Sequence, residues 1–237
     1  MSDQRVRKRV GHVGLIMNGN RRWSRKHGYA IFNGYRRGRD VLKNIARCCI
    51  EQSIPILTVY AFSTENRKRK QWEINFLMNL FHSMLRESIS EFLKQGIRIR
   101  VIGDREMPGK KLRSVIERAE SQTKQCEKLL LQIAFYYGGR AEITYAVRQI
   151  ARHVAHGDID ISDITEAVVA QNLWTHDVPD PDIIIRTGGE FRLSNFLLWQ
   201  IAYSELFVVD TLWPDFTTEM FLSIIQMFHE RKRTRGA

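Results

Sequence analysis

Near the end of the chain, three isoleucines lead straight into a glycine turn between two arginines, in the sequence Ile183-Ile184-Ile185-Arg186-Thr187-Gly188-Gly189-Glu190-Phe191-Arg192-Leu193-Ser194-Asn195-Phe196. The isoleucines are typical of a buried strand, and the two glycines let the backbone approach a ligand. Arg186 and Arg192 can each make paired hydrogen bonds to phosphate oxygens. We expect Ser194-Asn195 to cap a helix, whose N-terminus would offer further N–H donors. The segment therefore predicts a diphosphate-binding cradle over residues 186–196; the alternative is a structural turn whose arginines are only solvated.

The composition fits one α/β domain that binds anions. The 237 residues are 43% hydrophobic, enough to bury a core, and carry a formal net charge of +11. This charge favours phosphorylated substrates, membrane surfaces or nucleic acids as partners. Nucleic acid is the weakest of these, because the basic residues cluster at the chain ends and after predicted strands rather than along one face.

The cysteines and the apolar runs bear on location. The three cysteines lack the spacing of metal ligands and indicate a reduced, cytoplasmic protein. The sequence shows no signal peptide and no apolar run of the ~18 residues that span a bilayer. A peripheral membrane contact through the product is compatible with both observations.

Short apolar runs alternate with longer amphipathic stretches, as in a mostly parallel sheet with helices on both faces. The six predicted strands are Val13–Met17, Ile56–Phe62, Ile97–Ile102, Leu129–Tyr136, Ile183–Arg186 and Leu206–Val209. The predicted helices are Gly34–Glu51, Gln71–Gln95, Gly109–Cys126, Ala141–Ala155, Ile164–Leu173 and Thr217–Glu230. We expect a single domain over residues 12–230, with basic tails over residues 1–11 and 231–237.

Polar and basic segments follow four of the predicted strands, over residues 18–23, 63–69, 138–140 and 186–196. Because ligands of parallel sheets bind beyond the carboxyl ends of the strands, these segments should form one site. The site would suit an anion with an apolar body.

An apolar stripe runs along the predicted helix over residues 71–95. At helical spacing it carries Trp72, Phe76, Leu77, Leu80, Phe81, Met84, Leu85 and Ile89. Such a stripe is usually core, and alternatively lines an apolar groove or a subunit contact.

Several long motifs carry a family resemblance. They are His12-Val13-Gly14-Leu15-Ile16-Met17-x-Gly19-Asn20-x-Arg22-Trp23, Tyr60-Ala61-Phe62-Ser63-x-Glu65-Asn66, Arg186-Thr187-Gly188-Gly189-Glu190, Ser194-Asn195-Phe196-Leu197-Leu198-Trp199-Gln200, Tyr203-x-Glu205 and Leu212-Trp213-Pro214-Asp215-Phe216. In order and over nearly the whole chain, these motifs resemble the cis-prenyltransferases, in particular the bacterial undecaprenyl diphosphate synthases. The resemblance implies a homodimeric α/β fold with a hydrophobic tunnel between the sheet and two helices. It also implies a Mg²⁺-dependent isoprenyl transferase of isoprenoid biosynthesis, which joins an allylic prenyl diphosphate to isopentenyl diphosphate.

The resemblance assigns roles at matching positions. It implies that isopentenyl diphosphate is held by Arg186, Arg192 and Ser194. It implies catalytic positions, which orient the diphosphate or assist proton removal, at Asn18, Ser63, Asn66 and Arg69. It implies that the allylic diphosphate is contacted by Gly19, Asn20 and Arg22. Further substrate-binding candidates on that side, not all at positions that match the family, are Arg21, Trp23, Tyr35, Arg36, Arg37 and Arg67. Glu205 is the candidate metal ligand, acting in the site of the neighbouring subunit.

The departures from the family pattern concentrate on the allylic and metal side. The family has a metal-binding aspartate at Asn18 and a metal-associated histidine at Phe191. Its arginine, histidine, tryptophan and glycine are replaced here by Ile31, Tyr35, Arg67 and Arg21. Because Mg²⁺ prefers carboxylate and phosphate oxygens, we expect a weakened or lost metal site. Its charge would be replaced by Arg21, Arg36 and Arg37.

Rings on the fourth predicted strand bear on product length. Phe135 and Tyr136 stand where the family commonly has small or amide side chains. By strand alternation, at most one of the two can face the tunnel, where it would shorten the product. Core packing is the alternative.

Three functions remain in competition. The first is an isoprenyl transferase with altered metal dependence and shorter products. The second is a specialised paralogue that forms branched or cyclised terpenoids or prenylates another acceptor, with Tyr35 and Phe191 making the allylic pocket less polar. The third is a non-catalytic partner subunit or diphosphate-binding protein, for which the C-terminal Arg233-Thr234-Arg235-Gly236 is a near miss to an Arg-x-Gly motif.

Overall fold

A computed structural model describes residues 9–231 of the chain. The six strands are β1 (His12–Ile16), β2 (Ile56–Ser63), β3 (Ile97–Ile102), β4 (Leu129–Tyr137), β5 (Ile183–Thr187) and β6 (Glu205–Val209). They form one sheet in the order β3-β4-β2-β1-β5-β6, and all five neighbouring pairs are parallel. The predicted fold class and the six predicted strands are confirmed. The predicted tails and the Arg233-Thr234-Arg235-Gly236 motif fall largely or wholly outside the described residues.

The helices are α1 (Asn20–Lys26), α2 (Ile31–Glu51), α3 (Gln71–Gln95), α4 (Gly109–Thr123), α5 (Gly139–His156), α6 (Glu166–Gln171) and α7 (Thr218–Glu230). Six of them match predicted helices to within a few residues at each end. The short helix α1 was not predicted, since its segment was taken for a loop. None of the described helices is both long enough and apolar enough to cross a bilayer.

The helix predicted to begin at Ser194-Asn195 is wrong. Residues 191–204 form turns, and three of them have positive φ: Ser194 (51°), Asn195 (66°) and Leu197 (44°). A right-handed helix cannot pass through left-handed residues. The cradle therefore has no helix N-terminus to offer to an anion.

The sheet separates two apolar layers, as strand alternation requires. Leu15, Val59 and Ile185 face the larger core under α2, α3, α4 and α7. Their neighbours Ile16 and Ile184 face a smaller cluster on the other side. On α3, the predicted apolar stripe is core at Phe81, Met84 and Leu85, whereas Trp72 at its start is 46% exposed.

Close packing of α1 against α2 fixes the segment that follows β1. A Cβ at Gly34 of α2 would lie 2.2 Å from the backbone oxygen of Asn20, and one at Gly38 would lie 2.5 Å from Asn20 Oδ1. Only glycine permits this approach. The contact positions Asn20 and its neighbours beyond the carboxyl end of β1.

Candidate active site

Arg186, at the end of β5, is the centre of the cradle. Its side chain is only 3% exposed. One guanidinium nitrogen, Nη1, donates to Ser194 Oγ at 2.9 Å and to the carbonyl oxygen of Arg192 at 2.6 Å. The other, Nη2, donates to Glu190 Oε2 at 2.8 Å. Arg186, Arg192 and Ser194, which were predicted to hold isopentenyl diphosphate, are thus brought together. None of the three is among the residues that line the polar cavity described below.

The glycine turn lets this cradle meet the segment after β1. Gly188 and Gly189 both have positive φ, of 89° and 71°. A Cβ at Gly188 would lie 2.4 Å from Arg22 Nη2, which instead donates to the Gly188 carbonyl oxygen at 2.8 Å. Thr187 Oγ1 accepts from the Asn18 N–H at 3.0 Å and donates to the Asn18 carbonyl oxygen at 2.8 Å. The loops after β1 and β5 are therefore joined into one surface.

Glu190 is the acidic centre of that surface. Its Oε2 accepts from Asn18 Nδ2 at 2.9 Å and also from Arg192, and its Oε1 lies 3.6 Å from Arg22 Nη2. Partial burial favours the neutral acid, yet the hydrogen bond from Arg186 and the charges of Arg192 and Arg22 prevail and hold the pKa of Glu190 below its ordinary value. Glu190 was not among the predicted site residues. The available signal was a lone acid inside a basic, glycine-rich turn.

A polar cavity of about 390 Å³ opens at this end of the sheet. It brings together eight of the predicted site residues: Asn18, Gly19, Asn20, Arg21, Arg22, Tyr35, Asn66 and Arg69. Glu190 lines it as well, and among residues 9–231 it is the only carboxylate that does so. The cavity is therefore suited to an anion.

A second acid, Glu73 at the start of α3, is almost fully buried and organises the opposite wall. Its side chain is 2% exposed. Glu73 Oε1 accepts from the Tyr35 hydroxyl at 2.9 Å and from Arg69 Nη1 at 3.0 Å, and its Oε2 lies 3.6 Å from Arg21 Nη1. Burial raises the pKa of Tyr35 to about 12, so this hydroxyl stays a donor at neutral pH. Glu73 was not predicted as a site residue either, because an acid in the first turn of a helix is ordinary.

An apolar cavity of about 110 Å³ continues from the polar one, between the sheet, α2 and α3. The two cavities share part of their lining: Met17, Asn20, Tyr35, Tyr60, Ala61 and Leu77. Phe135 lines the apolar cavity and stacks on Phe81 with ring centroids 4.1 Å apart, whereas Tyr136 lines a separate cavity. Phe135 thus faces the apolar cavity and Tyr136 does not. Both rings nevertheless belong to the same core, because Tyr136 has a positive φ of 49°, which breaks the alternation of β4 at this point.

Several predicted site residues lie outside the polar cavity. Ser63 is one of them: it caps the short helix Thr64–Lys68 reciprocally with Asn66, which does line the cavity, through two hydrogen bonds of 3.2 Å. Arg67 lines the separate cavity of about 970 Å³, together with Arg140 and Arg148. Its predicted place beside the allylic diphosphate does not match this position.

Trp23, Arg36, Arg37 and Glu205 also lie away from the cavity lining. Trp23 is buried behind it, with Nε1 donating to Asp215 Oδ1 at 2.7 Å. Arg37 donates to the Pro214 carbonyl oxygen at 3.0 Å, and Arg36 is exposed.

Glu205 begins β6 opposite Ile183, at the far end of the sheet from the cradle. Its Oε2 accepts from Arg231 at 2.6 Å. Phe191 is 84% exposed.

The donor set of the polar cavity does not fit a Mg²⁺ ion held by the protein. Mg²⁺ needs near-octahedral oxygen ligands, usually with one or two carboxylates. Here the single lining carboxylate, Glu190, is engaged by guanidiniums and by the Asn18 amide. Within residues 9–231 no cluster of three or more His, Cys, Asp or Glu side chains is placed to hold a metal.

Comparisons with known proteins agree with the motifs. Residues 16–236 match the prenyltransferase family described as undecaprenyl diphosphate synthase. The chain is 47% identical over 227 residues to a tritrans,polycis-undecaprenyl-diphosphate synthase (geranylgeranyl-diphosphate specific) of Pyrococcus horikoshii, covering 95% of this chain and 86% of the relative. It is 44% identical over 225 residues to an isoprenyl transferase of Thermotoga maritima, covering 95% and 96%.

A solved structure is similar over almost its whole length. The lavandulyl diphosphate synthase of Lavandula x intermedia, crystallised with dimethylallyl diphosphate, superimposes with a TM-score of 0.94 at 33% identity. The match covers 97% of this chain and 99% of that one. Motifs, fold and relatives agree, and the chain belongs to the cis-prenyltransferase family of enzymes, that of the undecaprenyl diphosphate synthases.

Proposed function

We propose that the protein joins an allylic prenyl diphosphate to isopentenyl diphosphate. In this reaction the allylic C–O bond breaks, diphosphate leaves, a C–C bond forms to the terminal alkene carbon of isopentenyl diphosphate, and one proton is lost. The observation that supports this function is the continuity of the two cavities. A basic chamber for the diphosphate opens directly onto an apolar chamber for the prenyl chain.

The two diphosphates have separate places in this proposal. The cradle formed by Arg186, Arg192 and Ser194 holds isopentenyl diphosphate through charge-assisted hydrogen bonds. The loop around Asn20 and Arg22 holds the allylic diphosphate, whose leaving oxygens gain negative charge as the C–O bond breaks. Preorganised guanidiniums stabilise such developing charge.

A weak Mg²⁺ requirement follows from the lining of the polar cavity. Arg21, Arg22 and Arg69 line it, so guanidiniums rather than a protein-held ion would offset the diphosphate charge. Of the three arginines predicted to replace the charge of the metal, only Arg21 lines the cavity. Arg36 and Arg37 lie outside it.

Short products follow from the dimensions of the apolar cavity. It measures about 110 Å³, and the stacked rings of Phe135 and Phe81 form part of its wall. A chain that grows beyond this space must displace packed aromatic side chains. The expected products are therefore shorter than those of long-chain relatives.

A homodimer is part of the proposal. Glu205 lies too far along β5 and β6 to reach the cavity of its own chain, so any role in a site is in that of a partner. The exposed ring of Tyr203, two residues before Glu205, supports a subunit contact on that side of the molecule. A cytoplasmic location and a peripheral membrane contact of the product stay predictions.

The test is a product analysis. Purified protein is incubated with radiolabelled isopentenyl diphosphate and either geranyl or farnesyl diphosphate, once with Mg²⁺ and once with EDTA, and products are identified by mass spectrometry. Elongated diphosphates in both lanes support the proposal with its weak metal requirement. Elongation in the Mg²⁺ lane alone would refute the metal argument but keep the function.

A second candidate is a condensation between allylic diphosphates, without isopentenyl diphosphate. It is favoured by the TM-score of 0.94 to the lavandulyl diphosphate synthase that was crystallised with dimethylallyl diphosphate. Incubation with dimethylallyl diphosphate alone discriminates between the two, since only the second candidate yields a branched product. If neither mixture reacts while pyrophosphate still binds in calorimetry, the non-catalytic subunit becomes the better description.

A further inference from the structure

The least expected group among the arginines of the site is a carboxylate. Glu190 accepts hydrogen bonds from Arg186 and Arg192, and its other oxygen lies 3.6 Å from Arg22. Its side chain is 28% exposed, so it is partly open to the polar cavity that it lines. Glu190 therefore has the charge and the partners that a phosphate group of the substrate would have.

The guanidinium groups of Arg22, Arg186 and Arg192 lie close enough to repel one another, and the burial of Arg186 makes its charge still less favourable. Arg186 is 3% exposed, and burial lowers its pKa, with the charges of Arg192 and Arg22 acting in the same direction. A buried cation without a counter-charge is strongly unfavourable. Glu190 offsets this charge in the absence of a ligand and so keeps the three arginines in the arrangement that an anion requires.

Asn18 completes the arrangement through its amide. Asn18 Nδ2 donates to Glu190 Oε2 at 2.9 Å. An aspartate at position 18 would instead place a second carboxylate oxygen at this distance. Two carboxylates in such contact cannot both stay charged unless a cation or a proton lies between them. The amide N–H removes that need, because it supplies the positive end of a dipole where a cation would otherwise lie.

We propose that the hydrogen-bonded pair Asn18–Glu190 takes the place of a protein-held divalent cation, and that Glu190 is the positioning residue that keeps Arg22, Arg186 and Arg192 ready for an incoming diphosphate. The diphosphate then takes over the guanidiniums from Glu190, because it offers more oxygens and more charge. Only the identity of this anion rests on the proposed function. The statement about the cation concerns the ligand-free protein.

The test is calorimetric titration of Mn²⁺ and Mg²⁺ into the ligand-free, full-length protein, with no substrate present. Four proteins are compared: wild type, Asn18→Asp, Glu190→Gln and the double variant. We expect Asn18→Asp to bind Mn²⁺ at least tenfold more tightly than wild type, because it creates a carboxylate pair. We expect the double variant to return to the wild-type affinity, because one carboxylate of the pair is gone.

Asn79→Asp is the matched control, since it adds the same charge at an exposed position of α3, away from the cavity lining. It should leave Mn²⁺ binding within twofold of wild type. Thermal unfolding with and without Mn²⁺ serves as a second measurement if Asn18→Asp folds poorly. Mn²⁺ should raise the melting temperature of Asn18→Asp and leave that of the double variant unchanged.

Two outcomes would overturn the inference. In one, the wild type binds Mn²⁺ as tightly as Asn18→Asp; in the other, the double variant keeps the affinity of Asn18→Asp, so Glu190 is not the partner of residue 18. Neither outcome depends on turnover. Failure of this inference and failure of the proposed prenyl transfer are therefore distinguishable.

Discussion

Tyr35 and Glu73 meet where the polar and apolar cavities join, with the tyrosine hydroxyl donating to Glu73 Oε1 at 2.9 Å. The contact crosses from α2 to the start of α3 and is extended by Arg69, whose Nη1 donates to the same hydroxyl at 2.8 Å. A carboxylate that is 2% exposed thus has its hydrogen-bonding capacity met by side chains from two other elements. The wall of the cavity that faces the cradle depends on this contact.

Replacing Tyr35 by Phe should destabilise the protein by about 1–2 kcal/mol, because the buried Glu73 carboxylate loses a donor. The free energy of unfolding in urea measures the change. Tyr29→Phe is the control, because the Tyr29 side chain is 54% exposed. The loss of its hydroxyl should lower the free energy of unfolding by less than about 0.5 kcal/mol. Equal stabilities of the two variants would contradict the role given to Tyr35.

His12 should make the fold sensitive to acid. Burial lowers the pKa of His12 from 6.5 to about 4, while its Nδ1 lies 2.6 Å from the Pro179 carbonyl oxygen and its Nε2 2.7 Å from Thr58 Oγ1. Below pH 6.5 the unfolded chain takes up a proton that the folded protein does not, so the stability is present above this pH and is lost as the pH falls toward 4. The loss should reach about 3 kcal/mol.

The difference between wild type and His12→Gln isolates this contribution from that of the carboxyl groups. Denaturant unfolding at pH 7 and pH 4 should show a steeper loss for the wild type. Parallel pH profiles of the two proteins would show that His12 does not titrate in this way.

Product length should respond to the ring of Phe135. Phe135→Ala enlarges the apolar cavity and should lengthen the main product in the elongation assay, at a stability cost of about 3–5 kcal/mol. Phe135→Leu is the milder variant for use if the alanine protein does not fold. Tyr136→Phe, on the neighbouring residue that lines the other cavity, should leave the product distribution unchanged. A longer product from Tyr136→Phe alone would reverse the assignment of the two rings.

Arg186→Lys should weaken the binding of isopentenyl diphosphate in the cradle, although it keeps the positive charge. Lysine keeps the positive charge but cannot serve Ser194 Oγ, the Arg192 carbonyl and Glu190 together, as the guanidinium does. Loss of charge-assisted hydrogen bonds worth about 1.5–3 kcal/mol should raise the KM for isopentenyl diphosphate by roughly tenfold to a hundredfold. Arg36→Lys, at an exposed arginine outside the cavity, should leave this KM unchanged.

Most of the fold could be predicted because its elements have strong periodic signals. The run Ile183–Ile185 is apolar on both faces, as a central parallel strand must be, and all three residues are buried. The helix α1 gave no such signal, since Trp23 is the only apolar residue among its seven. The packing of Gly34 and Gly38 of α2 against Asn20 defines this segment, and that contact is not visible in the local sequence.

The types of residue in the site could be predicted from the sequence, but the contacts between them could not. The role of the cradle arginines could be predicted from the charge and glycine content of the segment. The contacts of Glu190 could not, because they depend on which side chains meet after the chain turns at Gly188 and Gly189. The helix expected at Ser194 failed because serine and asparagine serve equally well in caps and in left-handed turns. At Phe135 and Tyr136 the alternation rule does not hold, because the positive φ of Tyr136 (49°) leaves both rings in the same core. Of the two, Phe135 lines the apolar cavity, and no local sequence signal marks this difference.

The order of the strands places the charged groups of the site and the wall of the apolar cavity on different parts of the sheet. The loops after β1 and β5, which are adjacent, supply the charged groups around Glu190. The next two strands, β2 and β4, supply Val59, Ile133 and Phe135 to the wall of the apolar cavity. A substitution on β4 can therefore alter the size of hydrocarbon that fits without touching any group that handles charge, so enzymes with this sheet can diversify their products one wall residue at a time.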